Sequence, residues 1–381
     1  MPGWKNFIAA AVCCLIFLFC PGQAVWAEEN GENDPLSGYS FEEVQQVLED
    51  SLDGDAVSFR ELVQQMISGE TGGTGDIWKK IWDALFSELN ANQKVLFQVL
   101  LIGTVGAVFT SFSAAFGKGG VSQAAFYVAY IMMMTVLMAG FYTASQIVKN
   151  LLQNLVTFMQ ALVPTYFMAV AMTGQTVTSA AYYQITAVGI SLVEWALLYF
   201  GLPAVRIYMV FGLAGQLAGE DGLSKLTELL KSALSWGMKT IAGAMFGLQI
   251  IQSILLPGID SVKSGTVMKA IRAIPGIGNS VESVSSMVLG TGVLIKNGIG
   301  AAALVILLLI SAVPVVKLLV LTLSYHLAAA LVQPISDSRM TECISVAASA
   351  MGLLLKIVLT AVLLFFLTIA IVCVTTGGKV G

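Results

Sequence analysis

Residues 269–300 read KAIRAIPGIGNSVESVSSMVLGTGVLIKNGIG, and the architecture turns on whether this stretch crosses a membrane. Ile277, Val281, Val284 and Val288 fall on one helical face. Asn279, Ser280, Glu282, Ser283, Ser285 and Ser286 occupy the rest. Pro275, Gly276 and Gly278 punctuate the chain before this segment, and Gly290 and Gly292 after it. Asn279 followed by Glu282 is a helix-start pattern. The spacing therefore predicts a short amphipathic helix hinged by glycine at both ends, re-entrant or interfacial, with its serine face towards water or a partner. Lys296-Asn297 would hold the far hinge at the interface.

Outward from this stretch the chain is strongly apolar. Of 381 residues 57% are hydrophobic and 11% charged, and mean hydropathy is +0.83. Soluble domains carry roughly a quarter charged residues, so this composition requires a polytopic membrane protein. Charge is unevenly placed. Residues 28–92 hold 15 of the 23 acidic residues with only Arg60, Lys79 and Lys80, whereas residues 93–381 are net basic. Three of the five cysteines, Cys13, Cys14 and Cys20, lie in the N-terminal apolar run, leaving Cys343 and Cys373, so no disulfide or metal framework is expected. One histidine, no phosphate loop and no nucleophile elbow give no basis for an enzyme, a metal site or a cofactor. A basic-aromatic patch for nucleic acid is lacking as well.

Residues 1–27 carry Lys5, an apolar run from Phe7 to Phe19, Pro21-Gly22 and Val25-Trp26-Ala27. This is the pattern of a signal peptide cut after Ala27 or retained as an anchor. It places the acidic region 28–92 outside the cytoplasm. Ser40 with Glu43 and Ser58 with Glu61 form two capping boxes. The helices they open would turn Phe41, Val44 and Leu48, then Phe59, Leu62, Val63 and Met66, inward. So few apolar positions predict a loosely folded head or one that folds on a partner. Residues 77–89, with Trp78 and Trp82, predict an interfacial helix.

A transmembrane hairpin is expected over 93–148, then two membrane repeats over 149–257 and 258–381. The apolar runs are Val95–Phe116, Ala124–Val148, Leu151–Met172, Ala180–Phe200, Leu202–Ala218, Thr240–Leu256, Ile299–Val316, Leu318–Val332 and Ala347–Val374. They predict an all-α fold of about seven to nine transmembrane helices. Leu223–Lys239 is amphipathic and expected in an interface, and Gly243 with Gly247 forms a GxxxG pair. A shift of 111 positions places Pro164 on Pro275, Pro203 on Pro314 and Arg206 on Lys317. Further on, a shift of about 117 places Lys239 on Lys356. If 269–290 does not span, the two halves are inverted, as in many transporters.

Ionisable residues inside apolar spans are candidates for a pore or relay. Glu194 and His326 are such residues, and Arg206 and Lys317 follow the proline breaks. In the amphipathic segment the candidates are Pro275, Asn279, Glu282, Ser283, Ser286, Lys296 and Asn297.

Four segments resemble the stage III sporulation protein AE family of endospore-forming bacteria. They are Ala273-IPGIGNSVESVS, the Leu294–Gly300 hinge, the Pro314–Leu331 run with YHLAAAL, and the Val332–Ser338 turn. The resemblance implies a multi-pass protein of the mother-cell (outer forespore) membrane. Its partners would be the other proteins of a channel complex, in part secretion-like, that links mother cell and forespore and supports late forespore development. It implies no catalytic residues, and a homo-oligomer is compatible with it. Two roles are expected to compete: a subunit of that transenvelope complex, and a self-contained inverted-repeat transporter.

Overall fold

Long helices follow from the sequence because, inside a bilayer, a helix satisfies every backbone group within its own segment. The computed structural model describes residues 36, 38–51, 58–69, 97, 101, 120–218, 221–272, 278–334 and 338–376. Within its helices, the side chains of 120–126, 216–218, 221–224, 255–272 and 278–288 lie outside the description. The elements are α1 (Glu42–Ser51), α2 (Phe59–Ser68), α3 (Gly120–Met172), α4 (Thr176–Glu194), a π-helical turn (Trp195–Gly201), α5 (Leu202–Ala218), α6 (Asp221–Arg272), α7 (Gly278–Val332) and α8 (Ser338–Thr375). Among the described residues four stretches are long and apolar enough to cross a membrane: Tyr127–Met172, Thr176–Gly215, Leu289–Val332 and Ser338–Thr375. The predicted signal peptide, the interfacial helix 77–89 and most of the span Val95–Phe116 lie outside the described residues.

Three pairs of predicted spans fuse. α3 runs unbroken through 149–150 for 53 residues, and α7 runs through Pro314 and Lys317 for 55 residues. Ala180–Phe200 and Leu202–Ala218 join through the π-turn. Pro203 has no N–H to give the ladder, and the wider turn absorbs the loss: Leu202 N–H bonds to the carbonyl of Leu197. α7 is also continuous through Gly290, Gly292 and Lys296-Asn297, so the predicted hinge after the amphipathic segment does not exist. Gly292 serves instead for close approach, since a Cβ there would stand 3.3 Å from the carbonyl oxygen of Met172. Leu223–Lys239 is the first half of α6 rather than a separate interfacial helix, and its Leu234 and Met238 are buried. Gly243 and Gly247 face open space, so the GxxxG pair makes no helix contact among the described residues.

α8 is the axis of the bundle. It packs against α3, α5, α6 and α7, and Ala347, Ala348, Met351, Leu354, Ile357, Val358, Ala361, Leu364 and Phe365 are buried along its length. Specific contacts fix the direction of each helix. Gly201 meets Ile357 and Gly212 meets Val346, so α5 opposes α8. Lys296 meets Cys373 and Thr322 meets Gly352, so α7 opposes it too. Lys231 meets Ser349 and Gln249 meets Thr368, so α6 runs parallel to α8. Hairpins α4–α5/α6 and α7/α8 therefore point the same way. The expected inversion fails because 278–332 is one helix rather than a turn-back followed by a span.

The acidic head is folded onto this bundle, contrary to the loose state expected of it. Its second helix begins where the Ser58–Glu61 capping box places it, and Ser58 Oγ accepts from Glu61 N–H at 3.4 Å; the first begins at Glu42, two residues after Ser40. Phe41, Val44, Leu48, Phe59, Leu62 and Val63 are buried. The missing core is supplied by the membrane helices: α1 packs on α3 and α2 on α7. Gly298 lets Ile67 and the Val63 carbonyl onto α7. The Tyr39 hydroxyl donates to Met172 Sδ at 3.0 Å, and Thr165 Oγ1 donates to the Ser40 carbonyl at 3.2 Å. Burial raises the Tyr39 phenol above its ordinary pKa.

Paired cysteines test the parallel packing of α6 and α8. In a cysteine-free chain, the pairs Lys231→Cys/Ser349→Cys and Gln249→Cys/Thr368→Cys should cross-link on mild oxidation. The crossed pairs 231/368 and 249/349 should not, and the opposite pattern requires antiparallel helices.

Candidate functional site

The densest polar arrangement in the described bundle lies where α8 ends beneath the head. A helix C-terminus leaves carbonyls without internal partners and carries partial negative charge. In α8 these carbonyls are met by side chains from two other helices. Lys296 of α7 is fully buried, and its Nζ donates to the Cys373 carbonyl and to Thr376 Oγ1, both at 3.0 Å. The Thr376 hydroxyl passes its own proton to the Val372 carbonyl at 2.6 Å, which leaves its oxygen free to accept from the lysine. Gln175, just before α4, donates from Nε2 to the Thr376 carbonyl at 3.0 Å. Thr375 Oγ1 donates to the Ile371 carbonyl and lies 3.2 Å from the Tyr182 hydroxyl, which is therefore the donor of that pair. The Tyr166 hydroxyl is buried beside Cys373 and Thr376.

Lys296, expected to hold a hinge at the interface, lies inside this clasp. Asn297 is exposed next to it, its side-chain oxygen 3.9 Å from Cys373 Sγ. Gln175, Tyr166, Tyr182 and Thr376 were not identified from sequence. They are polar positions scattered through apolar runs, and their partners lie 80 to 201 positions away in several cases.

A second polar feature is a small cleft, with room for about 20 Å³, among α4, α6 and α8. Thr186, Gln249, Gln252 and Thr368 line it among apolar residues. Thr368 donates its hydroxyl proton to the Leu364 carbonyl, so it must accept from the Gln249 amide nitrogen. That orients Gln249 and leaves its Oε1 buried without a partner, along with Gln252 Nε2. One buried acceptor and one buried donor in a largely apolar cleft suit a water or another small hydrogen-bonding molecule.

The predicted relay residues are not brought together. Glu194 is half-buried at the end of α4, directly before the π-turn. His326 is exposed on α7, beyond the level of Lys317. By the contacts that register α5 and α7 against α8, the two are separated by about 24 Å along the axis. Neither lines the cleft. Arg206 reaches across to α3, where Nε donates to Ser145 Oγ at 2.8 Å, and Lys317 is half-buried on α7. Pro275 lies outside the described residues; Asn279, Glu282, Ser283 and Ser286 belong to the first turns of α7, with side chains outside the description.

Comparison with known proteins adds family information. Residues 57–376 match the family model for stage III sporulation protein AE (spore_III_AE). The chain is also 22% identical over 318 residues to stage III sporulation protein AE of Bacillus subtilis (strain 168), covering 83% of this chain and 79% of that one. No solved structure matches.

Replacing Lys296 tests the clasp. Lys296→Met keeps most of the volume and removes the donor, leaving the Cys373 carbonyl buried and unbonded. Loss of a charged hydrogen bond to a buried acceptor costs about 2–3 kcal/mol. Thermal unfolding in detergent should shift down accordingly, with faster proteolysis of the head. An unchanged midpoint would show that the lysine is not needed there.

Proposed function

The chain belongs to the stage III sporulation protein AE family, and from that premise we propose that it is a membrane-embedded subunit of a sporulation-specific channel complex. In this reading the protein sits in the mother-cell membrane around the forespore and joins the other stage III proteins in a secretion-like assembly serving late forespore development. A sporulation role follows from the family itself; the assembly is the finer step.

The observation that supports it is the filled axis. A transporter complete in one chain needs a polar pathway through its centre, with the binding site near mid-membrane. Here the centre is α8, whose inward face from Ala347 to Phe365 is filled by apolar residues packed against the neighbouring helices. The transporter reading also leaned on inverted halves and on Glu194 facing His326, and the geometry offers neither. A conduit built with this protein would then run between copies of it, or between it and its partners. The head, held at one end of the bundle by α3 and α7, offers an acidic surface to extracytoplasmic partners.

Genetic complementation in sporulating cells separates the two roles. Glu194→Gln and His326→Ala should retain late forespore gene expression close to that of the unmodified gene. Val281→Asp with Val284→Asp, on the apolar face of the first turns of α7, should abolish it and reduce co-purification of the other stage III proteins. Loss of function in Glu194→Gln with the assembly intact would instead support a transporter.

A further inference from the structure

Basic residues that are far apart in sequence come to one end of the bundle. The helix registers are set by Gly201–Ile357 and Gly212–Val346 for α5, Thr322–Gly352 for α7, Lys231–Ser349 and Gln249–Thr368 for α6, and Arg206–Ser145 for α3. They bring Lys149, Arg206, Lys231, Lys239, Lys317 and Lys356 into a basic ring about nine residues, or roughly 14 Å, deep. The ring lies about 20 residues, or roughly 30 Å, from the clasp at Thr376. That matches the thickness of a hydrocarbon core. Between ring and clasp, Glu194 is the one acidic or basic side chain among the described residues. The outward surface of that layer is apolar, with Val188, Leu192, Phe246, Ile250, Ile251 and Ile254 exposed. Trp236 and Tyr199, 68% and 66% exposed, sit beside the ring, where amphipathic aromatics settle at a membrane–water interface.

Three members of the ring lie on the packed pair α6 and α8. Lys231 and Lys239 on α6 are exposed and lie close enough to Lys356 on α8 for their charges to act on it. Ser349 adds a hydroxyl, accepting from Lys231 Nζ at 3.2 Å. Along these two helices the nearest described carboxylates are Glu228, one turn before Lys231, and Glu342, about four turns before Lys356. Three ammonium groups gathered at the edge of a low-dielectric layer repel one another, and an anion held between them reverses that cost.

We propose that Lys231, Lys239 and Lys356 form a binding site for the phosphate of an anionic phospholipid in the leaflet away from the head. The lipid's acyl chains lie along the apolar faces of α6 and α8 towards the clasp, and its headgroup meets the lysines beside Trp236. Lipid is the occupant, rather than a soluble anion, because the lysines border an exposed apolar surface about one hydrocarbon thickness deep.

The test is tryptophan quenching with the full chain in phosphatidylcholine bilayers, Trp236 being the only tryptophan retained. A small fraction of phosphatidylglycerol brominated near the headgroup end of its chains should quench Trp236 much more than the same fraction of brominated phosphatidylcholine. Each lysine neutralised to glutamine should lower this enrichment about fivefold at low salt. The triple arginine variant should keep it, and raised salt should weaken it. Equal quenching by the two lipids in the lysine-bearing protein overturns the proposal, whether or not the glutamine variants fold. Abolition of the enrichment by millimolar inorganic phosphate at constant ionic strength overturns the assignment to lipid.

Discussion

A buried ammonium group needs acceptors, and the end of a buried helix needs donors; Lys296 and the last turn of α8 answer one another. Most of the architecture depends on this pairing. α8 touches each of the other long helices, so fraying of its final turn would loosen the packing of each. Lys296 ties that turn to α7, Gln175 and Tyr182 tie it to the start of α4, and Tyr166 closes in from α3. The head then docks over the same region through Gly298 and Met172. Burial of the head's apolar residues and satisfaction of α8's carbonyls thus occur at one place, and the two should stabilise each other.

Much of the fold was legible in the sequence, and the errors share a cause. Composition gave a polytopic helical protein, and Ser58-Arg60-Glu61 marked a helix start that is present. The breaks read at Pro203, Pro314, Gly290 and Gly292 assumed that water is at hand to satisfy freed backbone groups. In an apolar bundle it is not, so the chain stays helical and adapts locally, as in the π-turn before Pro203. The glycines are explained by neighbours that sequence could not show: Met172 over Gly292, Ile67 over Gly298, Cys373 over Gly300. The inverted-repeat expectation followed from the misplaced hinge and falls with it.

The candidate site was less legible. Lys296 was expected, with Asn297, to hold a hinge at the membrane interface, whereas it is buried in the clasp. Its partners, Cys373 and Thr376, stand 77 and 80 positions away, and no local pattern connects them. The cationic ring is similar. Lys149, Arg206, Lys231, Lys239, Lys317 and Lys356 stand on five different helices, and no local pattern connects them. Fusing the paired spans into single long helices brings them to one end of the bundle. The relation of Lys239 to Lys356, visible as a repeat register, becomes proximity in space.

The central claim is that these helices cross one apolar layer between the clasp and the cationic ring. Side-specific labelling of Asn297→Cys and Lys239→Cys, each in a cysteine-free chain in sealed vesicles of known orientation, tests it most directly. A membrane-impermeant thiol reagent should reach position 297 only from the face carrying the head, and position 239 only from the opposite face. Labelling of both positions from the same face would place clasp and ring on one side of the membrane and contradict the account.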